Sequence, residues 1–167
     1  MIILGIDPAL TQSGWGAILS QNNTISFIAC GTIKTDSKKS LDTRLHHIHL
    51  SINQVIELYK PDEVAIEETF VNNNAVSSLK LGHARGVLML SAAIAGLKIY
   101  EYASTSIKKT VVGVGRAEKS QVGAMIKYLL PKAIVKSEDE ADALAVAICH
   151  NSFRRHTILG ANLGQKL

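Results

Sequence analysis

Disulfides are the first thing this sequence lacks the means to build. Its two cysteines, Cys30 and Cys149, stand far apart in apolar stretches. They give neither a disulfide framework nor zinc-ligand spacing, and both read as reduced core residues. Proline occurs three times, and no tract is dominated by Pro, Gly, Ser or one sign of charge. That excludes a linker-rich or disordered chain except near the end. Long apolar runs are missing as well. The opening Ile2-Ile3-Leu4-Gly5-Ile6 is cut by Asp7 and Pro8, too short for a signal peptide or a bilayer span, so the expected location is cytoplasmic, with no membrane partner. No internal repeat is visible.

What is present suffices for one core. A chain of 167 residues with 47% hydrophobic content fits a single domain, expected over residues 1–155, with 156–167 as a loosely held C-terminal tail around Gly160 and Gly164. The net charge is only +4, but it is unevenly spread: residues 69–137 hold 10 of the 18 Lys/Arg and 2 of the 14 Asp/Glu. A solvated basic face is the plain reading of that excess. A polyanionic partner is the sharper one.

Periodicity predicts the order β-β-β-α-β-α-β-α-α-α, an α/β fold with a mixed five-stranded sheet and helices on both faces. Residues 2–7 read as a buried strand stopped by proline, 14–20 and 25–34 as a hairpin joined by Gln21-Asn22-Asn23-Thr24. A helix from about Leu41 ends before Pro61, and the strand at 63–67 follows this crossover, which makes it parallel to the first. Helices are expected at 74–95, 105–112 and 139–153, with another defined by Val122, Met125, Ile126, Leu129 and Leu130, and a strand at 99–102.

Two of these strands end in an acid, Asp7 and Glu67. Alternation puts Asp7 on the face of Ile3 and Gly5, and Glu67 on the face of Ala65, so neighbouring strands bring both carboxylates to the carboxyl edge of the sheet. A third source is Glu138-Asp139-Glu140-Ala141-Asp142, which opens an apolar helix. Asp139 and Asp142 share a face, and so do Glu138 and Asp142; spacing does not choose between them. Acids in a first helical turn also serve the helix dipole, and Asp7 suits a turn. Their number argues for more. Like charges about 4 Å apart repel by about 4 kcal/mol at an effective dielectric near 20, so a cleft of several carboxylates needs cations. Oxygen donors without a His or Cys cluster favour Mg²⁺ or Mn²⁺, and a pair of such ions suits phosphodiester hydrolysis.

Five segments, ILGIDP (3–8), AIEETF (65–70), LKLGHARGV (79–87), TVVGVGRAEKSQV (110–122) and DEADALAVA (139–147), resemble in order and spacing those of the RuvC family of Holliday junction resolvases. The resemblance implies an RNase H-like fold, a two-fold homodimer, and a crossover junction endodeoxyribonuclease. Such an enzyme cuts a four-way DNA junction by symmetric paired nicks in recombination and repair, with two Mg²⁺ per active site, replaceable by Mn²⁺. It further implies the RuvA-RuvB branch-migration complex as a partner. Carried over by position, the catalytic and metal-binding acids are Asp7, Glu67, Asp139 and Asp142, and this resemblance selects Asp139 over Glu138. It places DNA-contacting lysines at Lys108 and Lys119, the latter also catalytic. Lys119 lies in a first helical turn, where the dipole disfavours a cation unless an anion is near. Lys109, Arg116 and Arg85 add charge for backbone contacts. Phe70 corresponds to an aromatic that stacks on an unpaired base, and Gly82 and Gly86 form a small-residue ridge on the helix through which the family dimerises. Ala9 departs from the glycine usual after Asp-Pro.

Rival readings remain. Gly5-Ile6-Asp7-Pro8 with Gly14 and Gly16 also resembles the first phosphate loop of actin-like ATPases and sugar kinases, which close a second domain over nucleotide; 167 residues are expected to fill one domain only. A non-catalytic junction-binding module and an RNase H-type hybrid nuclease are the others.

Overall fold

The computed structural model describes the backbone of residues 1–68 and 75–164, with side chains as far as residue 154. The elements are β1 (Ile2–Asp7), β2 (Gln12–Gln21), β3 (Thr24–Lys34), α1 (Leu41–Tyr59), β4 (Glu63–Glu67), α2 (Ala75–Ile94), β5 (Lys98–Tyr102), α3 (Ser104–Val112), α4 (Lys119–Leu129) and α5 (Glu138–Gly164). Their order agrees with the periodicity of the sequence. The sheet runs β3-β2-β1-β4-β5. β1 is antiparallel to β2 and parallel to β4, with Ile6 opposite Ile66, so Asp7 and Glu67 leave adjacent strands at the same edge.

Local chemistry explains the turns. Asn22 and Asn23 both take positive φ, 49° and 64°, the conformation a two-residue hairpin requires and asparagine tolerates. α1 ends at Lys60, whose N–H returns to the Ile56 carbonyl immediately before Pro61.

Alternation along the strands divides the core in two. Leu4, Ile6, Val64 and Ile66 pack with Ile48, Ile52 and Val55 of α1 and Ala84, Leu88 and Ala92 of α2. Ile3, Ile18 and Ala65 pack on the other face with Ile107 and Val111 of α3, Val122 and Ile126 of α4, and the apolar run of α5. The strand-end acids point to this second face.

α5 lies on the sheet with almost no separation. A Cβ at Gly5 would collide with the Ala143 carbonyl oxygen, and one at Gly14 with the carbonyl oxygen of Asp139. Further along, buried His150 joins the Tyr102 hydroxyl (2.7 Å) and Glu63 Oε2 (2.8 Å), and Arg154 also reaches Glu63 (3.2 Å). Glu63 begins β4 where Glu67 ends it, so α5 is tied down at the sheet edge away from the acids.

Two boundaries differ from expectation by more than one residue. β2 begins at Gln12, two residues early, because Gln12 and Ser13 pair with Lys34 and Ile33 despite being polar. α5 continues past residue 153 to Gly164. Residues 154–164 contain no proline, and an interior glycine costs only about 1 kcal/mol, too little to stop a helix already nucleated. Among the described residues no helix is long and apolar enough to cross a membrane.

Candidate active site

Asp7, Glu67 and Asp142 line one cavity of about 250 Å³, together with Ser104, Ile107, Lys108, Lys119 and Val122. β1 and β4 deliver the first two acids, and the N-terminal part of α5 delivers the third. α3 supplies Ser104 and Lys108 from one side; α4 supplies Lys119 from the other.

The electrostatics of this cavity are those of a crowded anionic cleft. The Asp7 pKa is pushed up to about 8, first by burial and then by the charges of Glu67, Asp142 and Asp139, with Lys119 opposing. Burial also raises Glu67; a hydrogen bond from Ser104 pulls it the other way, and the Asp142 charge raises it further. Asp142 is raised by burial against the pull of Lys119. Burial works against the Lys119 ammonium, but a hydrogen bond with Glu138 and the charge of Asp142 hold its pKa above the ordinary lysine value. Lys119 Nζ stands 3.2 Å from Glu138 Oε2 and 3.6 Å from Asp142 Oδ2.

The acids that open α5 thus have different partners. Asp142 faces the cavity and Glu138 faces Lys119. Asp139 accepts a hydrogen bond from Gln12 Nε2 and does not line the cavity, although its charge is felt by Asp7 and Asp142. Gln12, Ser104 and Glu138 are site residues that sequence reasoning did not select. Only Glu138 had a signal, its spacing from Asp142.

The donor set fits a hard divalent cation: carboxylate oxygens, no sulfur, no imidazole, and a half-buried Asp7 whose raised pKa comes partly from neighbouring negative charge that a cation would offset. Among the described residues no three such donors stand close enough to enclose an ion by themselves. An ion here would take part of its shell from water and from phosphate oxygens, as Mg²⁺ commonly does.

The other expected contacts are spread more widely. Lys108 faces the acids, whereas Lys109 lines a separate cavity of about 560 Å³ with Ser106, Thr110, Ser152 and Phe153. Arg116 is exposed in the α3–α4 loop. Arg85 is largely covered: it donates from Nε to the Glu67 carbonyl (3.2 Å) and pairs with Glu101, so structural contacts already occupy it. Gly82 and Gly86 are exposed on α2, with open space above both. Phe70 lies outside the described residues.

Comparison with known proteins agrees with this geometry. The family described as Crossover junction endodeoxyribonuclease RuvC matches residues 3–150. The chain is 51% identical over 152 residues to the crossover junction endodeoxyribonuclease RuvC of Methylorubrum extorquens (strain PA1), covering 91% of this chain and 80% of that one. It is 51% identical over 148 residues to that of Rhizobium leguminosarum bv. trifolii (strain WSM2304), covering 89% and 88%. Among solved structures it is similar to T. thermophilus RuvC in complex with Holliday junction substrate, at a TM-score of 0.87 and 29% identity, over 94% of this chain and 96% of that one. The yeast mitochondrial Holliday junction resolvase Ydc2 shares the fold at a TM-score of 0.61 and 12% identity, over 88% and 77%. A family match over residues 3–150 and half-identical relatives along nine-tenths of its length show that the chain belongs to the RuvC family of crossover junction endodeoxyribonucleases.

Proposed function

We propose that this chain resolves four-way DNA junctions by metal-assisted hydrolysis at the cavity of Asp7, Glu67 and Asp142. The convergence of these acids on one cavity with Lys119 at its side carries the reading. Asp139 completes the ligand set from its position against Gln12. Two Mg²⁺ ions, or Mn²⁺ in their place, would supply an activated water and charge stabilisation for the departing 3′ oxygen. The protein's own part is to gather the carboxylates where water is partly excluded and to hold Lys119 where negative charge grows on the phosphate. Lys108 reaches the same cavity from α3 and positions the strand.

Several further features go with this reading. A two-fold dimer through α2 suits the symmetry of a junction, and the open space over Gly82 and Gly86 leaves room for a second helix to approach. Phe70, three residues after Glu67 in the sequence, would stack on a base at the branch. Lys109 and Arg116 extend the basic surface, and a branch-migration complex is the expected partner. Residues 1–155 form the nuclease unit and 156–167 an appendage to it. A cytoplasmic location suits two free cysteines, one of them buried.

The test is a synthetic four-way junction incubated with and without Mg²⁺, using the wild type and Asp7→Asn. Paired nicks from the wild type with Mg²⁺ only, and binding without nicking by Asp7→Asn, are expected. Tight binding with no Mg²⁺-dependent cutting by the wild type would leave a binding module instead.

A further inference from the structure

A second cleft opens beside the catalytic one. It lies between α4 and the first turn of α5, has a volume of about 530 Å³, and shares Lys119 and Asp142 with the acid-lined cavity. Small residues, Gly123, Ala124 and Ala141, line it together with Ser120, Ser137, Lys127 and Lys136. The acids in it, Glu138 and Asp142, sit at the catalytic end and are met by Lys119. At the other end Lys127 and Lys136 are exposed, and among the described residues neither ammonium has a carboxylate partner.

Sequence spacing explains the shape. Lys119, Gly123 and Lys127 recur every four residues and so occupy one stripe of α4. Glycine in a helix interior costs about 1 kcal/mol relative to alanine, and no packing contact requires it here: a Cβ at Gly123 would meet nothing within 4 Å. The stripe is therefore a shallow trough with a lysine at each end. Lys136 comes from the loop preceding α5, where the Glu140 carboxylate accepts its backbone N–H at 2.6 Å and fixes the loop against the helix.

We propose that this α4–α5 trough carries the sugar-phosphate backbone of the DNA strand as it leaves the cutting site, with Lys127 and Lys136 as phosphate contacts. A polyanion is the occupant that the charge pattern fits, because the two unpaired cations lie along a groove continuous with the cavity where the phosphodiester is cut. The trough deepens the resolvase reading and rests on it for the identity of the strand. The contacts are to phosphate, so they supply affinity without base preference.

The test measures binding of a labelled four-way junction and of a linear duplex by fluorescence anisotropy in EDTA, across a salt series. It compares the wild type, Lys127→Ala/Lys136→Ala, and Lys38→Ala/Lys39→Ala, which removes the same charge from the exposed β3–α1 loop. Each phosphate contact contributes roughly 0.9 to the slope of log affinity against log salt, so the trough variant should lose about 1.8 in slope and roughly tenfold or more in junction affinity near 0.1 M salt. The loop variant should keep the wild-type slope. Equal losses in both variants would assign the effect to net charge, and an unchanged slope in the trough variant would leave the cleft without DNA; either result overturns the proposal. Lys136→Glu alone provides the same readout if the double variant does not fold. Cutting is not part of this measurement, so failure of the wild type to nick with Mg²⁺ would count against the resolvase reading and not against the trough.

Discussion

Gly14 of β2 and Asp139 of α5 meet main chain to main chain, with no room for a side chain at position 14. Gly14 is also the residue paired with Asp7 across the β1–β2 ladder. Gly14, with Gly5 on β1, therefore lets the start of α5 come close to the strand that carries Asp7.

Replacing Gly14 with alanine should push the start of α5 outward. Overpacking of this kind costs about 1–3 kcal/mol, and for a chain of this size each kcal/mol lowers Tm by roughly 2–4 °C. Thermal melting should show the loss, and junction nicking should fall more than junction binding. A variant with wild-type melting and cutting would show that the helix has slack at this point.

The raised pKa of Asp7 has a consequence for stability in the absence of divalent ions. Between the ordinary value of 3.8 and about 8, the folded protein keeps a proton that the unfolded chain has released. Stability is thus greatest below the lower value and declines as pH rises through the upper one. Metal-free wild type should melt at a lower temperature at pH 8 than at pH 6, and Asp7→Asn should lose much of that difference. An equal pH dependence in the two proteins would remove Asp7 as its source.

Lys119 balances charge on both Glu138 and Asp142. Lys119→Ala should leave the fold intact, since the side chain is more than half exposed, and should slow cutting by about 10²-fold, the scale of losing one electrostatic donor at a reacting centre. Single-turnover rates at saturating junction are the appropriate measurement. An unfolded variant would mean that the lysine supports structure instead.

Gln12 offers its amide N–H to Asp139, and a donor of this kind orients a ligand carboxylate. Gln12→Ala should weaken Mn²⁺ binding by roughly 10–100-fold, the range typical of lost support behind a ligand. Calorimetric titration without DNA reads this directly. Junction affinity in EDTA should not change.

The residues that could be read in advance are those whose position follows from a local rule. Alternation assigned Asp7 and Glu67 to one face, the helical crossover made their strands parallel, and these two steps were enough to bring the carboxylates together. The partners of α5's first turn do not follow from such rules. Gln12 stands in a polar stretch that reads as loop and becomes strand only because β3 pairs with it, so its contact with Asp139 has no local signature. Glu138 and Asp139 are equivalent by spacing from Asp142, and the structure sends them to different neighbours, one to Lys119 and one to Gln12. Arg85 read as one more cation for DNA; nothing in its own segment announces Glu101 or the Glu67 carbonyl.

The seat of α5 on glycine has a bearing on drift in the rest of the interior. Where a helix rests on a sheet through aliphatic side chains, every exchange of Val for Leu alters the gap between them. Here the gap at positions 5 and 14 is set by peptide atoms, so the gauge of the cutting centre is held by the chain itself. At these two positions even a methyl group would meet main chain, so the smallest possible addition at either glycine is felt at once by the helix that carries Asp142.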